Sequence, residues 1–505
     1  MKFLFLLLFI SSSILNAQTD NTISIGKIDS IESTILNEKR KIWIYTPNDG
    51  PASLYSKQRY PVVYLLDGDA HFSSVVGMIQ QLSTVNGNTI CPQMIVVGIP
   101  NTDRTRDLTP THVLSDPPYV DTAFSINSGG GEKFISFLEK ELIPFVDGHY
   151  PTQPYRMLIG HSLGGLMVMQ TIIHHTDLFN SYISIDPSMW WDRQRLLKES
   201  QKILAEKKFE GHALYLGIAN TMDPGMDIIK VRKDTNSSSR HIRSILALQG
   251  YLEANKQNGL KYQGKYYGMD DHGSVPLITE YDAIRFIFDF YRLKLTNKDF
   301  SDTTIAMVHK LRKHYENVSK QFGYKVSPDE SLINNQGYNA LNNKRYDLAR
   351  EFFKLNVENY PNSFNVFDSY GDYFIAKNDP SQAIEQLKKA LALKENPDSR
   401  KKLEDLMKGS TSQVYSLTLD ELSKYVAEFE IPGEGVIIKT FMSNGELKIF
   451  SAGRPEGVLV PVKLHEFDVK DAKGFHFMFE MEGEKPTVLH VDVPEGVFKA
   501  VVIKK

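Results

Sequence analysis

Residues 155–166 read YRMLIGHSLGGL, and the fold is decided by this stretch. Tyr155 to Ile159 form an apolar run suited to a buried strand. From Leu163 the chain continues as LGGLMVMQTIIHH, a helical candidate. Between the two, Gly160-His161-Ser162-Leu163-Gly164 fits the pattern G-x-S-x-G. A strand that becomes a helix around one serine must turn sharply, and the two glycines let the neighbouring backbone pack close. Such a turn presents the Ser162 hydroxyl at the edge of a sheet, beside the amides that open the helix.

Outward from this turn the same alternation continues from about residue 40 to 290. The runs KIWIYTP, YPVVYLLDG, QMIVVGIP, YISIDPS, ALYLGIAN and KYYGMDDHG are separated by amphipathic stretches such as GEKFISFLEKELIPFV. Several runs are continuously apolar, as strands buried on both faces must be, so a mainly parallel sheet with helices on each side is expected.

A serine hydroxyl needs a base to take its proton. His272 stands in Asp270-Asp271-His272-Gly273-Ser274, after the last strand candidate and before the helix VPLITEYDAIRFIFDFY. That is the chain position expected of a base that follows nucleophile and acid. His174 and His175 fall on the helix after the serine and read as surface or packing residues. His161 adjoins the nucleophile and is a candidate to line the pocket. The acid is expected after ALYLGIAN, where NTMDPGMD offers Asp223 and Asp227. Asp223 is slightly favoured by its distance from the strand end; Asp227 is reachable if Pro224-Gly225 folds back, and a Ser–His dyad without an acid is the third option. Two amides are expected to hold the oxyanion, that of Leu163 and that of Asp69 after Gly68. Trp190 and Trp191 are placed where an acyl group could stack. Arg106, with Arg104 and Asp107, is expected at the pocket rim or in an ion pair.

Composition excludes several alternatives. The 58 Lys and Arg nearly balance 61 Asp and Glu, giving a formal charge of −3, so no nucleic-acid partner is expected. Cys91 is the only cysteine, which rules out an intramolecular disulfide, a cysteine nucleophile and a cysteine-rich metal site. It reads as a small core residue. Asp67, Asp69 and His71 lack partners spaced as metal ligands, so neither a metal nor an organic cofactor is expected. The opening MKFLFLLLFISSSILNAQTD has a cationic start, a short apolar run and a small residue at Ala17. It is expected to be a signal peptide over residues 1–17, giving a periplasmic or secreted protein with no membrane attachment after cleavage.

Beyond residue 297 the pattern changes. Residues 298–328 read as a polar helical linker. In 329–408, Gly337 and Gly371 are 34 apart, as are Ala349 and Ala383, with Phe353 matched by Leu387. Small residues at helix contacts, bulky ones opposite and Tyr360-Pro361 closing the first unit resemble the tetratricopeptide repeat, a surface for a protein partner. Pro397 falls two positions late for the second unit. Residues 412–505 alternate in short strands, with Asn444-Gly445 as a hairpin signal, and predict a small antiparallel β-domain.

Taken together, YLLDGDAHF, NTDRTRDLTPTH, GHSLGGL, IDPSMWWD and DHGSVP resemble the esterase family that includes enterobactin-type siderophore esterases, S-formylglutathione hydrolase, feruloyl and acetyl-xylan esterases and mycolyltransferases. The likeness covers about residues 25–295 and lies nearest the siderophore-esterase branch, some members of which resemble Ser–His dyad enzymes. It implies an α/β-hydrolase fold over residues 18–297, Ser162 as nucleophile, His272 as base and a small-molecule ester as substrate. Acyl transfer to an alcohol, or a protein-binding scaffold with an inert hydrolase domain, are the alternatives.

Overall fold

A computed structural model describes residues 23–47, 55, 58–117, 119–302, 304–407, 415–472, 474–494 and 496–503. The expected leader, residues 1–17, lies outside these. Among the described residues no helix is long and apolar enough to cross a membrane. The chain divides into two compact units: one reaches Asp302 and includes His309–Pro328, the other holds Asp329 onward.

In the first unit, β1 (Lys27–Ser33), β2 (Glu38–Tyr45), β3 (Tyr60–Leu66), β4 (Ile95–Ile99), β5 (Thr152–His161), β6 (Ser181–Ile185), β7 (Ala213–Ala219) and β8 (Lys261–Tyr267) form one sheet. Their order is β1-β2-β4-β3-β5-β6-β7-β8. β1 and β2 pair antiparallel at one edge, and β3 to β8 run parallel. Because side chains alternate along a strand, each central strand feeds two cores. Val62, Tyr64 and Leu66 enter one core, and Val63 and Leu65 the other. β5 divides in the same way, with Leu158 on one face and Met157 and Ile159 on the opposite one. Cys91 is buried in the second core, where burial pushes its thiol up to about 12.

The strand order reverses beside β3, since β4 lies on one side of it and β5 on the other. Such a switch point opens a crevice at the carboxyl ends of the strands. The chain leaves β3 at Asp67 and β5 at Ser162, so the loop and the turn singled out in the sequence meet there.

The segment expected to be a helical linker contains the helix Ala306–Phe322. Val318 and Phe322, on the helix Ala306–Phe322, are buried in the second core, with Phe322 edge-on to Tyr155 at 4.9 Å. The carboxyl-terminal part of this helix therefore packs into the first unit's core.

The second unit begins with five helices, Glu330–Asn342, Tyr346–Asn359, Phe364–Ala376, Pro380–Leu393 and Pro397–Met407. The first four form two hairpins. A Cβ on Gly337 would lie 2.6 Å from the Phe353 ring, and one on Gly371 would lie 3.2 Å from Leu387, so small residues face bulky ones at both hairpins. Then β9 (Ala427–Ile431), β10 (Val436–Ser443), β11 (Glu446–Ser451), β12 (Gly457–Lys463), β13 (Glu466–Val469), β14 (His476–Glu482), β15 (Lys485–Val493) and β16 (Gly496–Val502) form an antiparallel barrel. Asn444 and Gly445, both at positive φ, make the two-residue turn between β10 and β11. The barrel is closed, because β16 pairs back onto β9. Closure leaves no exposed sheet edge.

Candidate active site

Ser162 sits between β5 and the helix Leu163–His174 at φ 60 and ψ −112, a strained conformation for a residue other than glycine. The surrounding backbone holds it there. Its N–H donates to the Ile185 carbonyl at 2.9 Å, and its carbonyl accepts from Leu166 at 2.9 Å and Ser188 at 3.0 Å. A Cβ on Gly160 would collide with the Gly164 carbonyl, so the turn closes only with glycine at that position.

His272, in the loop after β8, brings Nε2 to 3.1 Å from the Ser162 Oγ. Its Nδ1 lies 2.6 Å from Asp186 Oδ2. Asp186 directly follows β6 at φ 40 and is fully buried. The same oxygen meets His241 Nε2 at 2.8 Å, while Oδ1 accepts the Ala219 N–H at 3.0 Å. Burial alone would raise this carboxyl, but the His241 and His272 hydrogen bonds and the Ala219 amide hold it well below the ordinary carboxylate range. A buried carboxylate that stays ionised fixes the imidazole tautomer, leaving Nε2 free to accept from the serine. Among the described residues, Asp186, His241 and His272 also have ligand atoms close enough together for a metal ion, within 4.8 Å. The short imidazole–carboxylate contacts are those of a hydrogen-bonded relay.

The carboxylate that meets His272 is that of Asp186, and neither Asp223 nor Asp227, the two expected from the sequence, is brought to it. Asp227 caps a short helix, accepting from the Ile229 and Lys230 amides at 2.9 and 2.8 Å, and Asp223 accepts from Ser238 at 3.3 Å. Both lie beyond β7, whereas the carboxylate that reaches His272 comes from the end of β6. The sequence held one signal for it: Asp186 closes the buried run YISID and precedes a proline. His241, near the start of the helix Arg240–Ala254, carried none.

Leu163 and Asp69 both fall in the first turn of a helix, where amides lack partners inside the helix. In the helix Gly68–Ser83 the Ala70 and His71 amides are spent on the Asp67 carbonyl, and those of Gly68 and Asp69 come before them. Gly68 is required by packing, since its Cβ would stand 2.5 Å from the Ile99 nitrogen. Asp67, at φ 52, is gripped by Arg104 through Nε at 2.7 Å and Nη2 at 2.9 Å. Arg104 also donates to the His161 carbonyl at 3.2 Å, tying the β3 loop to the serine turn.

The His161 ring lies tilted against that of His272 with centroids 4.5 Å apart. Burial, aided by that neighbour, pushes its imidazole down to about 4, so it is neutral near pH 7. Of the two options for Arg106 the structure shows the ion pair: it forks onto Glu38 at 2.8 and 3.0 Å and donates to Asp107 at 2.7 Å. Trp191 presents no exposed face for stacking. It is buried, and its indole N–H donates to the Thr111 carbonyl at 3.1 Å. Trp190, also buried, stacks on Tyr119 at 4.6 Å, two residues past Ser188, whose Oγ is 3.4 Å from that of Ser162.

A family model described as "Putative esterase" matches residues 33–225. The structure is similar to that of an IroE-like serine hydrolase from Shewanella oneidensis, with 30% identity and a TM-score of 0.55, covering 66% of this chain and 99% of that one. The ferri-bacillibactin esterase BesA of Bacillus subtilis is 29% identical over 202 residues, 38% of this chain and 69% of the relative. The siderophore triacetylfusarinine C esterase of Aspergillus fumigatus is 25% identical over 150 residues. That alignment takes in 29% of this chain and 51% of the relative, so the chain spans only about half of the fungal protein's length. The chain belongs to the esterase family of α/β-hydrolases. It is a carboxylic-ester hydrolase.

Proposed function

We propose that this chain is an exported serine esterase whose nucleophile is Ser162, whose base is His272 and whose acid is Asp186. The observation that carries the reading is the continuous relay from Ser162 Oγ to His272 at 3.1 Å and from His272 to Asp186 at 2.6 Å. His272 Nε2 takes the serine proton as Oγ bonds to the ester carbonyl carbon. The negative oxygen that forms is held by the Leu163 and Asp69 amides. Collapse expels the alcohol, which takes the proton back from His272 and leaves an acyl-serine. Water, deprotonated by His272, then releases the acid and restores Ser162.

The named relatives act on siderophore esters, and this supports a siderophore ester as substrate. The leader-like residues 1–17 support action in the periplasm or outside the cell. Two measurements test the proposal. Ser162→Ala is expected to lose aryl-ester turnover and fluorophosphonate labelling while keeping its thermal transition; full activity in that variant would overturn it. Ferric trilactone siderophores are expected to be opened faster than acetylated or feruloylated glycans, and the reverse order would overturn the substrate class.

A further inference from the structure

The barrel is filled at one end and hollow at the other. Tyr425, Phe429, Phe467 and Phe479 pack at its first end with ring centroids 4.8 to 5.9 Å apart. The β10–β11, β12–β13 and β14–β15 turns belong to this closed end, because β9 begins just after Tyr425 and the strands alternate in direction. The turns that join β9–β10, β11–β12, β13–β14 and β15–β16 therefore ring the opposite end, where a cavity of about 700 Å³ enters the barrel.

The cavity walls include Ile438, Ile449, Phe477, Val491, Val493 and Phe498. The first five are buried members of the barrel core, so the cavity opens into that core. Gly457 helps to keep it open. It is paired with Ile449 across β11 and β12, and directly paired residues point to the same face. A Cβ there would stand 2.9 Å from Val469 Cγ1 and 3.3 Å from Ile449 Cγ2, so an inward position of the wall carries no side chain. Small-molecule pockets span about 300–1,000 Å³, and a barrel of eight strands has room inside for one small ligand. None of the six wall side chains can hydrogen-bond, so a polar molecule would lose its hydration there with nothing to replace it. The body of the occupant is therefore apolar.

The mouth decides its head. Glu434, Glu456 and Asp471 lie there with Arg454 and Lys470. Lys448 reaches Glu456 at 3.5 Å, Lys470 reaches Glu446 at 3.8 Å, and Arg454 lies over the Phe475 ring at 5.7 Å. A carboxylate head would enter among three carboxylates. An ammonium head would enter beside Arg454 and Lys470 and compete with Lys448 for Glu456. A hydroxyl brings no charge, and it can donate to a carboxylate or accept from a guanidinium.

We propose that the barrel is a binding site for one uncharged apolar molecule of the long-chain alcohol class, with its alkyl chain in the cup and its hydroxyl at the mouth. The site is independent of the ester-cleaving reading, since all of its residues lie in the second unit.

N-phenyl-1-naphthylamine, an uncharged dye that fluoresces in apolar surroundings, titrated into the full chain tests this. Saturable binding of one molecule per chain is expected, with displacement by 1-decanol at concentrations at least tenfold below those needed of decanoate or decyltrimethylammonium. Val436→Trp at the mouth, where the side chain is already 37% exposed, and Gly457→Val in the wall should each weaken binding at least tenfold without changing aryl-ester turnover. Hydrogen exchange on the unmodified chain supplies a readout free of folding defects: 1-decanol should slow exchange in β10, β11 and β15. Absence of saturable binding, binding that survives either variant, less than a tenfold preference for decanol over either charged amphiphile, or no change in those strands would overturn the proposal.

Discussion

Asp186 and His241 are joined by a hydrogen bond of 2.8 Å to the same carboxylate oxygen that meets His272. The acid is thus held from two sides, by an imidazole facing the serine and by one behind it. In Asp186→Asn the side chain can offer an N–H where the carboxylate accepted, favouring the wrong tautomer of His272. Turnover should fall roughly 10⁴-fold with ester binding little changed. Asp223→Ala and Asp227→Ala should keep near-native turnover, with Asp227→Ala losing about 1 kcal/mol at most from its helix cap. A kinetic comparison of the three variants decides the identity of the acid.

Removing the second imidazole isolates its contribution. In His241→Phe, Asp186 loses one donor and is less firmly oriented towards His272. A fall of roughly tenfold in kcat is expected from the less rigid carboxylate. His241→Gln, which can still donate, should restore most of that loss, whereas unchanged kcat in His241→Phe would refute the positioning role.

Glu280, on the helix Val275–Ile287, is 1% exposed with neither carboxyl oxygen hydrogen-bonded. Burial pushes its carboxyl up to about 8 from 4.5. Below the lower value both folded and unfolded chains hold the proton; between the two only the folded chain does. The unfolded state is therefore favoured progressively as pH rises through this window, and the penalty is complete above the folded value. Glu280→Gln should raise Tm by roughly 5 °C at pH 8 and by little at pH 4, read by calorimetry at both.

Gly160→Ala forces a methyl group into the Gly164 backbone, whose carbonyl carbon and Cα would stand 2.5 and 3.0 Å from it. The turn must open, moving Ser162 Oγ away from His272. Turnover should fall by about 10²-fold or more, the scale of a displacement near 1 Å at a reacting group. Gly211→Ala, where the backbone is open despite φ +83, is the control and should cost stability but not turnover.

The serine turn, the base and the strand–helix alternation were legible because each is local. Gly160 and Gly164 flank the serine by chain geometry, the central strands are continuous apolar runs, and His272 follows the last of them. The Asn444-Gly445 turn and the small-against-bulky pairs at Gly337 and Gly371 are local in the same sense. These patterns follow from backbone sterics and from apolar burial, which act over a few residues.

What only the tertiary structure decided depends on which strand ends become neighbours. Asp186 rather than Asp223 reaches His272 because the loop after β8 folds across β7 towards the end of β6, and nothing in the chain around NTMDPGMD records that path. Arg106 and Trp191 had the right chemistry for a pocket but found partners within the fold in Glu38, Asp107 and Thr111, residues 68, 1 and 80 positions away. Closure of the C-terminal strands into a hollow barrel likewise required β16 to meet β9. Local sterics wrote the serine turn into the sequence; long-range packing chose the carboxylate and closed the barrel.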